Sequence, residues 1–278
     1  MKDTTKTLIE TTNFNNCTNT KGKGGSLYFS TEGECVQNRI CSLNSNSALR
    51  GMYCWVDVSN IAKHKNKILN SSISQSGNLY KDKESNIVLI NGEIEINSIN
   101  ISFADIYSNS LFGASSYSSS SRALFSTFSN NTDHEPLNSY LDYFSDSSET
   151  FLIKSCNYLS NNLHVIVSSW NAYVNVVNCN FINNTVRNEY FRQNSDDFGS
   201  IIIDGCYFDE RNLKTDGQVN IKNNEANPIK IEFPKLSCEF DIPKSKNEVG
   251  NKTIYFKRKK KFFKNLHFMF FQSFFIIS

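Results

Sequence analysis

The sequence predicts an all-β protein coiled as a parallel β-solenoid, and three observations carry that prediction. One strand pattern is written three times, as Phe151-x-Ile153-x-x-Cys156-x-Tyr158, Val174-x-Val176-x-x-Cys179-x-Phe181 and Ile201-x-Ile203-x-x-Cys206-x-Phe208. A fourth copy, Ile94-x-Ile96-x-x-Ile99-x-Ile101, keeps the frame with isoleucine in the cysteine slot. Proline is scarce, four in 278 residues, which suits a body whose strands are hydrogen bonded on both sides.

Within a copy, residues two apart share a strand face, so Ile201 and Ile203 point together, as do Cys206 and Phe208. The step between the two pairs is three. A straight strand would therefore bury one pair and expose the other, whereas a corner between them turns both inward. Lys154-Ser155, Val177-Asn178 and Asp204-Gly205 occupy that corner. Tandem hairpins would instead need turn dipeptides such as Asn-Gly at closer spacing. The named residues of all four copies form the expected core, with Ile153, Val176 and Ile203 in one column and Tyr158, Phe181 and Phe208 in another.

The frame extends outward. Slot positions fall at 17, 41, 99, near 126, and at 156, 179 and 206, giving roughly eight turns. An asparagine follows three residues past the second strand's central residue at Asn46, Asn131, Asn161 and Asn184. Asparagine tolerates left-handed backbone angles, so these positions are expected at corners.

In chain order, residues 13–60 carry degraded coils and 61–85 read as a loop around one weak turn. Residues 87–103 are a clear strand pair. The Ser-rich stretch 107–150 exceeds one coil, so it is expected to contribute about one coil and otherwise to project as a polar loop insertion. Residues 151–233 are the best-formed coils, and Gln218–Ile221 and Ile229–Phe233 alternate as if to close the sheet. The β-helix domain spans 1–247 and a different kind of segment follows at 248–278.

The Phe-x-x-Asn elements and Gly24-Gly25-Ser26-Leu27 resemble the repeats of polymorphic membrane proteins. The Cys-x-Phe-x-Asn-Asn run is similar to the right-handed, single-stranded parallel β-helix (pectin-lyase-like) surface proteins of protists. The resemblance covers most of residues 8–235. It implies a surface or secreted, non-enzymatic protein serving adhesion or antigenic display, attached to a membrane, with a host or carbohydrate ligand.

Composition bounds the function classes. Apolar residues make up 39%, as a thin solenoid core requires. The chain holds 29 Lys and Arg against 27 Asp and Glu, but six of the cations lie within 257–264. The rest is net acidic, which excludes nucleic acid as a partner because phosphate contacts need a basic face. The tail joins Lys257, Arg258, Lys259, Lys260 and Lys261 to Phe262, Phe263 and further phenylalanines. It is shorter and more polar than a bilayer-spanning helix, and three readings stand: an incomplete anchor, an interfacial segment contacting anionic lipid, which is the expectation here, or a terminus altered by truncation or frame change. No apolar leader stands within 1–12.

Eight cysteines show no Cys-x-x-Cys spacing and no pairing with histidine, so no zinc or other cofactor is expected. They are either buried free thiols or, for some of them, disulfides. Six Asn-x-Ser/Thr triplets begin at Asn16, Asn70, Asn100, Asn130, Asn183 and Asn251, as an Asn-rich chain generates by chance. Some β-helix proteins cleave acidic polysaccharides, and Asp196, Asp197, Asp204, Asp209, Glu210, Arg192 and Arg211 are the residues that such pectate-lyase-like chemistry could use. Acidic side chains also belong on solvated corners, and no catalytic motif is matched. A truncated family member is a third reading.

Overall fold

The computed structural model describes residues 5–58, 62–77, 85–107, 109–134, 139–194, 198–233 and 238. The tail, including Lys257, Arg258, Lys259, Lys260, Lys261, Phe262 and Phe263, lies outside them, as do Asp196 and Asp197.

Every strand pair among the described residues is parallel, and partners lie one coil apart in sequence. A complete coil contains four short runs, though the third is not formed as a strand in every coil. The second run is the clearest: eight strands from Asn13–Asn15 to Tyr207–Phe208 stack in one sheet, closing about seven turns. The first run includes Gly33–Asn38, Lys65–Leu69 and Ser200–Asp204, and the third is short, as in Thr18–Asn19 and Asp105–Ile106. The fourth includes Leu27–Ser30 and Cys54–Asp57. In Ile87–Asn97, Ser139–Lys154 and Asn162–Val177 the fourth run passes directly into the next first run. Left-handed Asn91, Asp146 and Asn171 bend these long strands.

The corner between first and second runs carries a left-handed residue in every coil, at 11, 39, 70, 98, 125, 155, 178, 205 and 223. The next corner repeats this five residues on, at 16, 44, 75, 103, 130, 160 and 183. A left-handed residue turns the strand without a loop, and Asn or Gly takes that conformation at least cost. This is why Ser155, Asn178 and Gly205 stand where the strand must bend.

Between corners the inward columns form. Ile153 lies beside Val176 and Val176 beside Ile203, all three fully buried. Phe128, Tyr158, Phe181 and Phe208 stack as near-parallel rings, with centroids 5.0, 4.7 and 4.7 Å apart. That interval is the strand spacing itself, so the backbone ladder holds each ring at stacking distance. Ile94, Ile96, Ile99, Ile101, Phe151, Cys156, Val174, Cys179, Ile201 and Cys206 are buried, and Phe208 at the last full coil is half-buried.

The cysteine slot bonds as well as packs. The backbone N–H of Cys156 donates to Cys179 Sγ, and that of Cys179 to Cys206 Sγ, both at 3.4 Å. Ser71 Oγ accepts from Ile40 N–H at 3.0 Å, and Ser126 Oγ from Ile99 N–H at 3.3 Å. Cys41 does not occupy the slot. It pairs with Asn13 and Ser72 on the second run, and Ile40 fills the slot instead. Cys17 is likewise displaced, because it follows the left-handed Asn16 of the next corner.

The asparagine column also differs from expectation. Its left-handed residues are Asn130, Ser160 and Asn183, one position earlier than Asn131, Asn161 and Asn184. Those three point inward as a ladder: Asn131 Nδ2 donates to Asn161 Oδ1 at 3.0 Å, and Asn161 Nδ2 to Asn184 Oδ1 at 2.9 Å. Each amide also donates to the carbonyl three residues back on the neighbouring earlier coil, as Asn161 Nδ2 does to Phe128 O. Corner carbonyls turned away from the strand ladder gain partners this way. Asn46 belongs to the following short strand, Asn46–Ser47.

The Ser-rich stretch 107–150 does not project as a loop insertion. It supplies Asn109–Tyr117, Arg122–Leu124, Thr127–Ser129 and the start of Ser139–Lys154, all wound into the body. Serine fits here because its hydroxyl completes a corner bond while adding little volume. Buried Ser121 Oγ, for instance, accepts from Ile94 N–H at 3.0 Å.

Val219–Lys222 closes the last coil against Ser200–Asp204, but Ile229–Phe233 does not join the sheet. The chain reverses and runs along the outside of the second run. Asn180, an outward residue there, clamps Ile229 through both amide atoms, each bond 2.8 Å. Farther back, Cys238 forms a disulfide with Cys41, another residue of the same outward column, with Cα atoms 5.6 Å apart. The strap is thus anchored to the second run at Asn180 and, toward the N-terminal coils, at Cys41. Alternation in 229–233 serves it: Ile229, Ile231 and Phe233 are half-buried while Lys230 and Glu232 are exposed.

Candidate functional site

The fourth run carries an outward column in which Tyr28, Trp55, Val88, Gly113 and Tyr143 follow one another coil by coil. Gly113 interrupts the row. With no side chain between Val88 and Tyr143, the wall opens into a cleft of about 110 Å³. Trp55 and Tyr143 bound it, with Arg50, Asn109, Ser110 and Ser115 among its polar lining. Ser110 Oγ lies 3.1 Å from Ser85 Oγ at the base. Lys23 Nζ sits 3.6 Å from the Trp55 ring centroid, a cation–π contact that holds the indole in place. Burial, with Tyr140 and Asp146 nearby, pushes the Tyr143 phenol up to about 12, so at neutral pH it donates as well as accepts. The cleft can hold a small ring through aromatic contact and fix it with hydroxyl, amide and guanidinium groups.

A second polar group lies on the third run, around Asp133 and His134. His134 Nε2 is 3.3 Å from Asp105 Oδ1, and its ring stacks on Tyr107 at 4.6 Å. One coil on, His164 Nδ1 is 3.4 Å from Asp133 Oδ1, and Arg187 forms an ion pair with the same carboxylate. Asp133 takes an inward position beside Ile106 and is buried, so the guanidinium compensates its charge. The coil register that aligns these residues was the signal needed to find them.

Of the acids and arginines suited to lyase chemistry, Arg192, Asp204, Asp209 and Glu210 each have a partner of their own. Arg192 pairs with Glu189 and, at 4.0 Å, with Asp216. Asp204 accepts from Asn223 at 2.9 Å, Asp209 from the Asn183 N–H at 2.6 Å, and Glu210 from the Asn212 N–H at 3.0 Å. Among the described residues no three His, Cys, Asp or Glu side chains are grouped to hold a metal ion. Among them, too, no helix is long and apolar enough to cross a membrane.

The cysteines divide. Cys41 and Cys238 are bridged, while Cys35, Cys54, Cys156, Cys179 and Cys206 are buried thiols and Cys17 is half-buried. Burial raises the Cys35 thiol to about 12 and pushes Cys54 and Cys179 up as well, while Cys206 is raised first by its hydrogen bond with the Cys179 thiol and then by burial, which removes their nucleophilic form at neutral pH. The chain matches no known family model, and no curated protein or solved structure is similar to it.

Proposed function

We propose that this chain is an exported, non-catalytic β-solenoid of the protist surface type, which uses the cleft on its fourth run to hold a carbohydrate in adhesion. The cleft carries the reading: an aromatic residue at each end, a side-chain gap at Gly113 and hydroxyl, amide and guanidinium groups around it suit a sugar's apolar ring face and hydroxyl edge. The Cys41–Cys238 bridge supports export, since structural disulfides persist in oxidising compartments. The basic, Phe-rich segment 257–263 would add membrane attachment through anionic lipid.

The test is a glycan array probed with the full chain and with Gly113→Leu. Gly113 has no left-handed φ, and a Cβ there would meet Ser110 Oγ at 3.0 Å, so the leucine fills the cleft without forcing the backbone. Wild type should bind a defined set of saccharides and the variant should lose them while melting at the same temperature. A wild type that binds no saccharide, or a variant that binds as well, overturns the reading.

A further inference from the structure

Five of the six Asn-x-Ser/Thr triplets lie in the described residues, and the fold sorts them. Asn16, Asn130 and Asn183 share one edge of the solenoid, the corner between the second and third runs. Each is left-handed and exposed. The next residue points inward at Asn131 and Asn184, and the one after, Thr18, Thr132 or Thr185, opens the third run. The acceptor amide and its threonine thus flank an inward residue on one outer edge. No side-chain bond engages the Asn130 or Asn183 amide among the described residues, and Asn16 is bonded only through its Oδ1, which accepts from Asn44. The other two triplets are placed differently. Asn70 Nδ2 on the neighbouring edge donates to Asn38 Oδ1 at 3.0 Å. Asn100 is half-buried within the second run, in the outward column that also holds Cys41 and Asn180, the two anchors of the strap.

We propose that this edge is a modification site, N-glycosylated at Asn16, Asn130 and Asn183, and that Asn100 is left bare. The reaction takes a lipid-diphosphate-linked oligosaccharide as donor. Asn Nδ2 forms a bond to the anomeric carbon, the lipid diphosphate leaves, and the displaced amide proton goes with it. Glycans on this edge project past the third run and leave the strap and the fourth-run cleft uncovered. A glycan on Asn100 would occupy the path between Asn180 and Cys41 and prevent the bridge from closing. The proposal rests on export, and the bridge offers a separate check of that.

The experiment uses the full chain purified from a eukaryotic secretory pathway. Peptide-N-glycosidase in heavy-oxygen water leaves a labelled aspartate wherever a glycan was attached, and a non-reducing digest reports the Cys41–Cys238 bridge. Label is expected at Asn16, Asn130 and Asn183 and not at Asn100. Thr132→Ala and Thr185→Ala keep the corner asparagines, so the fold is preserved, and each should remove one glycan's step in gel mobility. An intact bridge with Asn130 and Asn183 unlabelled overturns the proposal while sparing export, and label at Asn100 in bridged molecules also overturns it. Absence of both bridge and label overturns the proposal together with the export reading.

Discussion

The phenol of Tyr158 donates a 2.6 Å hydrogen bond to Asp142 Oδ2 in the interior of the solenoid. Asp142 stands in an inward column of the fourth run between Phe112 and Val167, fully buried, and its other oxygen has no partner among the described residues. Burial raises the carboxyl to about 8, and the bond from Tyr158 only partly offsets that. Asp142 is therefore a neutral acid in the folded chain near pH 7. An unfolded aspartate titrates near pH 4, so between about 4 and 8 the folded state holds the extra proton.

Stability contributed at this site should accordingly be complete below about pH 4 and fall as pH rises to about 8, by up to about 1.4 kcal/mol per unit. Asp142→Asn keeps the shape and removes the titration. The difference in unfolding free energy between variant and wild type should grow in favour of the variant from pH 4.5 to 8. Denaturant melts that give parallel pH profiles would show that the carboxyl is not buried in this way.

Asn161 should be costly to replace even by a residue of similar size. Its Oδ1 accepts from the N–H and the Nδ2 of Asn131, and its Nδ2 reaches Phe128 O and Asn184 Oδ1. Asn161→Leu leaves buried groups unpaired at about 1–3 kcal/mol each, so a loss of about 3 kcal/mol or more is expected. A loss below about 1 kcal/mol in urea denaturation would mean water enters the ladder and satisfies it.

Phe103 offers the opposite case. It is left-handed, with φ 53°, in the corner column that elsewhere holds Asn16, Asn44, Asn130 and Asn183, and it is 56% exposed. Phe103→Asn should raise stability by about 1 kcal/mol, because asparagine takes this conformation more easily than a bulky side chain. A lower melting temperature would show that its half-covered ring contributes more than the strain costs.

The core was legible in the sequence because alternation and the odd step of three leave little freedom: Ile201, Ile203, Cys206 and Phe208 face inward together in only one way. Register failed by one residue at Cys41, where a thiol outside the slot resembles a thiol within it. The asparagine ladder was hidden because an inward amide bonded to the next coil and an outward one at a corner look alike in composition. The serines of 107–150 read as solvated polar residues, yet Ser121 and Ser126 are buried and each accepts a corner N–H. Pairings such as Asp133 with His164 and Arg187, or Cys41 with Cys238, join residues whose approach depends on coil lengths that vary from turn to turn. Nothing in local spacing announces them. The cleft depends on what Gly113 lacks between two coils, which becomes visible only once the coils are aligned.

The strap gives the molecule an unusual response to tension. In a solenoid each coil touches only its neighbours, so a load carried from one end to the other tests every interface in series and opens the weakest. Here the backbone between Cys41 and Cys238 is a closed covalent ring, its ends 197 positions apart in sequence. A force applied between the N-terminus and the segment beyond Cys238 passes through the bridge and bypasses residues 42–237. Only the N-terminal stretch up to Ile40, the first coil and the first run of the second, lies in the path of the load. It can peel away and reel in slack while the coils that carry the cleft stay unstressed, so that stretch would act as a sacrificial spring for a protein anchored at one end and pulled at the other.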